Sequence, residues 1–451
     1  MKKTHHLIVI VTCVLILLGS INVFGQDWPQ WRGSNRDAKV TKFAVPDKWP
    51  EKLTQKWKIQ VGEGTDSTPA LVGNRLYVFT RQDGNEVTLC LNADTGDEIW
   101  KNSYEAEARV TADRAHPGPR SSPAVADGMV VTFGISGMLS CLDAATGDVK
   151  WRKNDFPDDL PRFNTAMSPI IEDGLVIGQF GGQNNAAVVA YNLSDGQQKW
   201  KWNSPGTNHS SANVMTVEGT KMVVVMTVSN VVGIKITDGT LQWQMPFDPG
   251  RRQCVTPITD GQNVICCGGE GIKAVAIKKE GDKFAVNELW TYSDNMVEYN
   301  TPVLKDGMLY AFSQRGNYFC VNAKTGQAAW TQSSDSTSLN SRPGGNLNMV
   351  FASYAAGGGG GGMRGGRGGG RGGRGGGMMG GSGFGSVVDA GSVLIGLNSS
   401  AKLVVFEPSK TEFKELASYQ VSDGQTYAYP VVSGNRIYIK DQVSLAMFTI
   451  E

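Results

Sequence analysis

Residues 91–100 of the 451-residue chain read LNADTGDEIW, and nearly the same ten residues return as LDAATGDVKW at 142–151 and as VNAKTGQAAW at 321–330. In each copy a β-rich run ends at a Thr-Gly turn, and a second β-rich run opens at tryptophan. Glycine supplies the positive φ that a tight turn demands, while the Thr or Asp near it can hydrogen-bond the turn backbone. The stretch therefore predicts a β-hairpin that recurs along the chain.

The tryptophans of these hairpins reveal the period of the repeat. Seven of them lie 43, 51, 49, 43, 47 and 40 residues apart, namely Trp57, Trp100, Trp151, Trp200, Trp243, Trp290 and Trp330. This spacing is typical of a β-propeller blade of four short strands. We predict that each ring covers the gap to the neighbouring blade, so that these side chains dock the blades together and do not bind a cofactor.

A second recurring sequence precedes the tryptophan of the repeat, and the number of its copies gives the number of blades. It is an apolar hairpin that in most copies begins with Ser/Thr-Pro. The first copy is STPALVGNRLYVF at 67–79, and the last is YPVVSGNRIYI at 429–439. With the degenerate copies NVMTVEGTKMVVVM and SVVDAGSVLIGL included, there are eight. The predicted fold class is therefore an all-β, eight-bladed propeller of four-stranded blades. Tyr419 replaces the tryptophan in the seventh unit, and the eighth shows only three strands, so LTQKWKIQV with Trp57 should supply the fourth and close the ring.

The N-terminus predicts export. A basic MKKTHH, an apolar LIVIVTCVLILL and the small Gly25 before Gln26 match a cleaved secretory signal. A retained membrane anchor is the alternative, because the apolar run is marginal for spanning a bilayer. We expect a signal peptide over 1–25, an N-terminal extension over 26–52 and the propeller over 53–451, in the periplasm or cell envelope.

The phrase Cys90-x-Asn92-x-x-Thr95-Gly96-x-x-x-Trp100, with its copies at 141–151 and 320–330, resembles the tryptophan-docking repeat of pyrroloquinoline-quinone (PQQ)-type propellers. DWPQWRGSNRD at 27–37 is similar to the mature N-terminus of exported, planctomycete-type PQQ-like proteins. The resemblance covers nearly the whole mature chain and implies an eight-bladed ring. It also implies one of two functions. Quinoprotein dehydrogenases hold the quinone and a calcium ion in the central funnel, whereas the propeller subunit of the outer-membrane β-barrel assembly machinery is non-catalytic.

The residues themselves offer little catalytic chemistry. A quinone site needs oxygen ligands that converge on a hard cation, a carboxylate base and a flat aromatic ring. Cys266-Cys267 could be a redox pair, but they fall in NVICCGG, where strand alternation points the two side chains in opposite directions. His116 and His209 belong to no metal-ligand spacing and lie in predicted loops.

The loops that enter the innermost strands contain the candidate binding residues. In a propeller these loops gather on one face around the central channel, where recognition residues accumulate on a rigid scaffold. The predicted rim consists of Arg120, Arg162, Asn164, Asn208, His209, Arg251, Arg252, Glu298, Tyr299, Asn300 and Tyr427. The alternative for such polar residues is ordinary loop solvation.

One insertion breaks the period. Residues 357–383 comprise 19 Gly, 4 Arg, 3 Met and 1 Ser, so no core can form from them, and we predict a disordered loop on the same rim. Arg-Gly tracts can bind RNA, but this one has no interleaved aromatic residue and lies downstream of an export signal.

These observations predict an exported, non-enzymatic propeller that binds an envelope protein or peptide ligand through its loop face. The chain carries 43 Lys and Arg against 42 Asp and Glu, a balance that gives no global field for nucleic acid or an anionic membrane. We therefore expect no nucleic-acid partner, at most peripheral membrane contact, and a monomer. No cofactor or metal is expected. The alternative is a dehydrogenase that depends on PQQ and calcium.

Overall fold

The fold is known from a computed structural model that describes residues 25–106, 116–250, 254–334 and 383–450. Its strands form eight four-stranded antiparallel sheets, each a blade, and in seven of them the four strands follow one another in sequence order. The predicted all-β, eight-bladed propeller is confirmed. The predicted signal peptide (1–25) and the Gly/Arg insertion (357–383) fall, except for one terminal residue each, outside the described residues. Within the described residues, no helix has the length and apolar character to cross a membrane.

The strands are numbered in chain order. The innermost strands of blades 1 to 8 are β2 (Ala70–Val72), β6 (Ala124–Ala126), β10 (Ile170–Glu172), β14 (Asn213–Val217), β18 (Ile258–Asp260), β22 (Val303–Lys305), β26 (Gly385–Asp389) and β30 (Val431–Ser433). The second strands are β3 (Arg75–Gln82), β7 (Met129–Phe133), β11 (Leu175–Phe180), β15 (Thr220–Met226), β19 (Asn263–Gly268), β23 (Met308–Phe312), β27 (Leu394–Asn398) and β31 (Arg436–Lys440). The third strands are β4 (Asn85–Asn92), β8 (Leu139–Asp143), β12 (Ala186–Asn192), β16 (Asn230–Lys235), β20 (Gly271–Glu280), β24 (Asn317–Asn322), β28 (Lys402–Phe406) and β32 (Ser444–Thr449). The outermost strands are β5 (Glu98–Glu105), β9 (Val149–Lys153), β13 (Gln198–Ser204), β17 (Leu241–Pro246), β21 (Lys283–Tyr292), β25 (Ala328–Ser333), β29 (Glu415–Gln420) and, for blade 8, β1 (Thr54–Gln60).

The N-terminal strand closes the ring, as the sequence predicts. Strand β1 pairs antiparallel with β32, so the eighth blade has the order β1-β32-β31-β30. Trp57 lies opposite Met447, and a bulge separates Gln55 from Trp57. The first and last parts of the chain thus share one sheet, and the ring is joined by backbone hydrogen bonds.

The core lies between blades, so the middle strands are apolar on both faces. Every residue of β11 is buried, although a strand with one solvated face would alternate. Cys266 and Cys267 show the consequence, because they are adjacent in β19 and both are buried. Cys266 packs in the cluster of Trp243 and Cys267 in the cluster of Trp290, on opposite sides of blade 5. Both are free cysteines.

Most of the repeated tryptophans donate a hydrogen bond to the following blade. The acceptors are backbone carbonyl oxygens at 2.7–3.2 Å from Nε1, in the pairs Trp57–Ala93, Trp100–Ala144, Trp151–Leu193, Trp200–Ile236, Trp290–Ala323 and Trp330–Ser409. In blade 7 the hydroxyl of Tyr419 donates to Pro50 O instead, at 3.0 Å. The ring of Trp100 also covers the Thr-Gly turn of blade 2, where a Cβ on Gly147 would lie 2.5 Å from Cε3. That glycine, with φ of 78°, is needed for the turn and for the close approach of the ring.

Trp243 is different, because blade 5 has no Thr-Gly turn to receive it. Within the described residues, its buried indole nitrogen has no hydrogen-bond partner. The ring packs in an apolar cluster with Ile277, Phe284 and Val286 of the ten-residue strands β20 and β21. At this junction longer strands and apolar contact replace the hydrogen bond.

A belt of hydrogen bonds links the starts of the innermost strands and explains their Ser/Thr-Pro sequences. The residue before proline, or the equivalent residue, donates its backbone N–H to the hydroxyl of the next blade at 2.9–3.1 Å, in the pairs Thr68–Ser122, Ser122–Ser168, Ser168–Ser211, Thr256–Thr301 and Tyr429–Thr68. Blade 7 provides no such hydroxyl. The hydroxyl of Tyr429 spans this position and accepts from Thr301 N at 3.1 Å.

Candidate functional site

The ring has two faces with different contents. The loop face is formed by the connections from an outermost strand to the next innermost strand, which include residues 61–69, 154–169, 205–212, 293–302 and 421–430. The hairpin face lies opposite and is formed by the turns that join each innermost strand to the second strand. Those predicted rim residues that the structure describes belong to the loop face, and they divide into three groups by their contacts.

The first group forms an aromatic wall across several blades. Tyr299 stacks on Phe384 with ring centroids 3.9 Å apart and planes 8° apart. Phe384 meets Tyr427 edge-on at 4.7 Å, and Tyr427 meets His116 edge-on at 4.9 Å. All four side chains are half-buried, so each presents part of its surface to solvent. His116 is the last residue of the wall and contacts a carboxylate, because its Nδ1 lies 2.8 Å from an oxygen of Asp66.

Charged side chains lie beside this wall. The guanidinium of Arg120 donates to Phe163 O at 2.5 Å and to His116 O at 3.2 Å, which ties two loops of the face together. The backbone of Cys254 donates to Glu298 O at 3.0 Å. Burial raises the pKa of the Cys254 thiol to about 12, so the sulfur stays protonated near neutral pH. The environment does not activate Cys254 as a nucleophile.

The second group lines a cavity over blades 3 and 4. Its volume is about 370 Å³, within the usual size range of ligand pockets, and the predicted residues Arg162, Asn208 and His209 line it together with Phe163. The rings of Phe163 and His209 are 5.7 Å apart, and the guanidinium carbon of Arg162 lies 5.5 Å from the Phe163 ring. The cavity therefore combines an aromatic surface of two mutually tilted rings with one exposed cation.

His209 is the titratable group of this cavity. Burial, and next the charge of Arg120, lower the pKa of His209 to about 4. The imidazole is therefore neutral at pH 7. Among the described residues its Nε2 has no hydrogen-bond partner, although the atom is buried. A neutral imidazole in this position can accept or donate one hydrogen bond to a ligand.

The third group consists of asparagines that support the loops. Asn300 is 2% exposed and donates from Nδ2 to Phe312 O at 2.6 Å. Asn208 is 8% exposed and accepts from Ser210 N at 2.9 Å, so it also fixes the conformation of its own loop. Asn164 is buried with a φ of 65°. The predicted residues Arg251 and Arg252 lie outside the described residues.

Four members of the site were not in the predicted set, namely Asp66, His116, Phe163 and Phe384. Asp66 precedes the first Ser-Thr-Pro, and Phe384 follows the glycine-rich insertion. Neither position repeats among the blades, so the period could not mark them. Phe384 nevertheless carried a signal, because it is a large aromatic residue between a glycine tract and an innermost strand. His116, which the sequence placed in a loop, joins the wall through Asp66 and Tyr427.

The axis of the ring does not fit a quinone with a cation. The guanidinium of Arg32 bonds to Tyr429 and to the start of β22, and Trp31 meets Tyr429 edge-on with centroids 4.9 Å apart. Side chains of the chain itself thus fill the centre at the level where the innermost strands begin. In the part of the chain that the structure describes, no three His, Cys, Asp or Glu side chains are grouped so that they could hold a metal ion.

Known proteins resemble the chain in sequence along two lines. The profile of the family described as outer membrane protein assembly factor BamB matches residues 49–201 and, in an overlapping alignment, residues 114–332. The putative dehydrogenase XoxF of Paracoccus denitrificans is 26% identical over 186 residues, which are 40% of this chain and 31% of that protein. The outer membrane protein assembly factor BamB of Bordetella pertussis is 25% identical over 240 residues, 52% of this chain and 54% of that protein. The chain thus spans from about a third to about half of the length of these relatives.

Solved structures of both kinds share the fold. BamB from Moraxella catarrhalis superimposes with a TM-score of 0.56 at 11% identity, covering 88% of this chain and 98% of that one. The quinohemoprotein alcohol dehydrogenase from Comamonas testosteroni superimposes with a TM-score of 0.63 at 13% identity, covering 94% of this chain and 80% of that one. At these identities the likeness shows the propeller fold alone, and the chemistry must be inferred from the residues of the site.

Proposed function

Because the chain belongs to the family described as outer membrane protein assembly factor BamB, we propose that it is a non-catalytic propeller scaffold of the cell envelope that binds an envelope protein through its loop face. The ring serves as a rigid support, and the loops provide the contacts. The fold by itself would not distinguish this function from a dehydrogenase, since propellers of both kinds share it. The proposal therefore depends on the loop face.

The observation that carries the proposal is the convergence of half-buried recognition side chains from loops of several blades. The wall of Tyr299, Phe384, Tyr427 and His116 combines aromatic surface with polar atoms. Such side chains are enriched in protein interfaces, where a large apolar ring with a polar tip contributes most of the binding energy. The cavity lined by Arg162 lies on the same face and suits an inserted side chain of the partner.

The axis and the cysteines support a role without catalysis. A quinone chamber would require the space that Trp31 and Arg32 occupy. The vicinal cysteines are buried on opposite sides of one blade, and burial raises the pKa of Cys266 to about 12. Neither feature suits redox chemistry at a bound cofactor. We therefore expect no cofactor, and we expect the protein to act after export.

Site-specific photocrosslinking in intact cells tests the proposal. A photoreactive residue replaces the exposed Arg162 on the loop face, and a matched variant carries it at the exposed Ser194, in the turn between β12 and β13 on the opposite face. We expect a discrete crosslinked envelope protein from position 162 and none from position 194. Crosslinks from position 194 alone, or equal patterns from both, would assign recognition to another surface.

The dehydrogenase alternative is favoured only by the sequence similarity to quinoproteins, and it has a direct test. Added PQQ with Ca²⁺ should neither raise the melting temperature nor produce dye-linked alcohol oxidation. A ligand at 100 times its dissociation constant stabilises a protein by about 2.7 kcal/mol, which a thermal scan detects easily. Stabilisation together with turnover would replace the scaffold function by catalysis.

A further inference from the structure

The sequence DWPQWRGSNRDAKV, residues 27–40, precedes the propeller and yet lies at its axis. Its backbone pairs with the innermost strand of blade 1 through Trp28 and Leu71, with two hydrogen bonds of 2.8 Å. Pro29 O accepts from Val125 N of blade 2 at 2.8 Å, and Val40 N donates to Asp389 O of blade 7 at 2.7 Å. The segment also bonds to Thr256 of blade 5, which lies opposite blade 1 in a ring of eight, so it must cross the centre. Residues 27–40 are called the axial segment.

Arg32 makes the most specific contacts of the axial segment. It is 1% exposed, and its guanidinium donates to Thr301 O at 2.7 Å, to Pro302 O at 3.0 Å and to the Tyr429 hydroxyl at 3.1 Å. Its Nε donates to Arg36 O within the segment at 3.2 Å. Backbone carbonyls and one hydroxyl thus surround the charge. The planar array of N–H groups matches these acceptors in a way that the point charge of lysine does not.

The flanking side chains anchor the segment to other blades. Trp31 donates from Nε1 to Thr256 Oγ1 of blade 5 at 2.9 Å. Trp28 is fully buried against blade 1, and its ring covers Gly33. Arg36 pairs with Glu172 of blade 3 at 2.9 Å. Together with the backbone contacts, these bonds connect the axial segment to blades 1, 2, 3, 5, 6, 7 and 8.

The backbone of the axial segment indicates that these contacts determine its shape. Arg32, Arg36 and Ala38 have φ of 61°, 60° and 57°, a region that non-glycine residues rarely adopt. Such conformations persist where the surroundings over-determine them. Ala38 N also donates to Arg32 O at 2.8 Å, which closes the segment into a compact loop. A passive tail would relax from this conformation.

We propose that the axial channel of the ring is a peptide-binding site and that the chain's own axial segment is its ligand. The site recognises a peptide of the type Trp-x-x-Trp-Arg, in which the first tryptophan enters the blade 1 side, the second bonds to blade 5, and the arginine is received by carbonyls at the start of blade 6. The bound segment ties the blades together from inside and closes the channel at the hairpin face. Ligands then reach only the loop face.

Cutting the chain after folding tests this inference on the full-length protein. A protease recognition sequence is inserted between Asp47 and Lys48, which are both exposed and lie between the axial segment and β1. The folded protein is cleaved and then passed through a gel-filtration column in native buffer. We expect the released N-terminal fragment to co-elute with the propeller, because its contacts do not depend on the peptide bond to β1. Separate elution of the fragment, with an unchanged melting temperature of the ring, would show a passive tail.

Peptide competition tests the specificity without any change in the propeller. A synthetic peptide of residues 26–47 is added to the cleaved protein, and displacement of the native fragment is measured against Arg32→Met and Lys42→Ala peptides. Lys42 is exposed and serves as the matched control. The Arg32→Met peptide should compete at least about tenfold less well than the other two, as expected for the loss of charged hydrogen bonds. Equal competition by all three peptides would overturn the assigned role of the arginine.

Discussion

The axis of the ring and the cavity of its loop face differ in how completely one nitrogen-bearing side chain of each, Arg32 and His209, is bonded. On the axis, at the level where the innermost strands begin, Arg32 is fully buried and each nitrogen of its guanidinium has an acceptor. At the loop face, Tyr299 and Tyr427 are half-buried, and His209 keeps a buried nitrogen without a partner among the described residues. Saturated polar groups contribute stability, whereas unsaturated ones in a cavity remain available for a ligand. The same ring therefore has a closed axis and a receptive loop face.

The largest expected difference between the axis and the loop face is the response to loss of an arginine. Arg32→Met leaves the carbonyls of Arg36, Thr301 and Pro302 without that donor, so we expect the free energy of unfolding to fall by about 3 to 5 kcal/mol. Arg162→Met at the exposed loop face should change it by less than about 0.5 kcal/mol. Denaturant titration of both variants measures the contrast. If both variants lost a similar amount of unfolding free energy, the distinction between the axis and the loop face would be removed.

Acid should destabilise the protein through the loop face. The pKa of His209 is lowered to about 4, below the ordinary value of 6.5, because burial disfavours the charged imidazole. Between these values the unfolded chain binds the proton more readily than the folded chain, so stability falls as the pH falls through this window. The loss reaches about 3 kcal/mol near pH 4.

Urea titrations near pH 7 and near pH 4.5 of the wild type and of His209→Gln measure how much of the stability lost on acidification is due to His209. The variant should lose less stability on acidification than the wild type. Parallel pH profiles for the two proteins would mean that other groups govern the acid response.

The smallest expected effect concerns two tyrosine hydroxyls. The hydroxyl of Tyr429 accepts hydrogen bonds from Arg32 and from Thr301 N. Tyr429→Phe removes both bonds and so interrupts the belt, at a cost of about 2 kcal/mol. The hydroxyl of Tyr292 accepts one bond, from Asn295 at 2.7 Å near the loop face, and Tyr292→Phe should cost about 0.5 to 1 kcal/mol. Thermal unfolding of the pair measures the difference. Should Tyr292→Phe prove the costlier change, the axis would not be the more tightly bonded region.

The blades of the ring could be predicted well because the sequence signals that specify them are local and repeated. A Thr-Gly turn and the tryptophan four residues after the glycine specify one hairpin, and its recurrence specifies the blade. Closure by β1 followed from counting strands and from the unpaired Trp57. Trp243 shows the limit of this reasoning. Its partner surface is formed by the longer strands of blade 5, so the same residue at the same repeat position packs without its hydrogen bond.

The loop face could be predicted in part. Loop position indicated Arg162, His209, Tyr299 and Tyr427, since all loops of this class emerge on one side of a propeller. Their mutual distances could not follow from the sequence, because each comes from a different blade. Asp66 and Phe384 were missed because no repeat position marks them, yet they complete the wall.

By itself, then, the sequence determined the number of blades, the order of the strands and the side of the ring on which the loops gather. Each of these depends on periodic hydrophobicity and on turns within a few residues, so it can be read from neighbours along the chain. Only the tertiary structure decided that residues 27–40 fill the axis. Arg32 meets partners 269 and 397 residues away in the chain, and no period relates them. Those contacts exist because the closed ring brings the starts of blades 6 and 8 to one centre, where buried carbonyls and a hydroxyl need a donor.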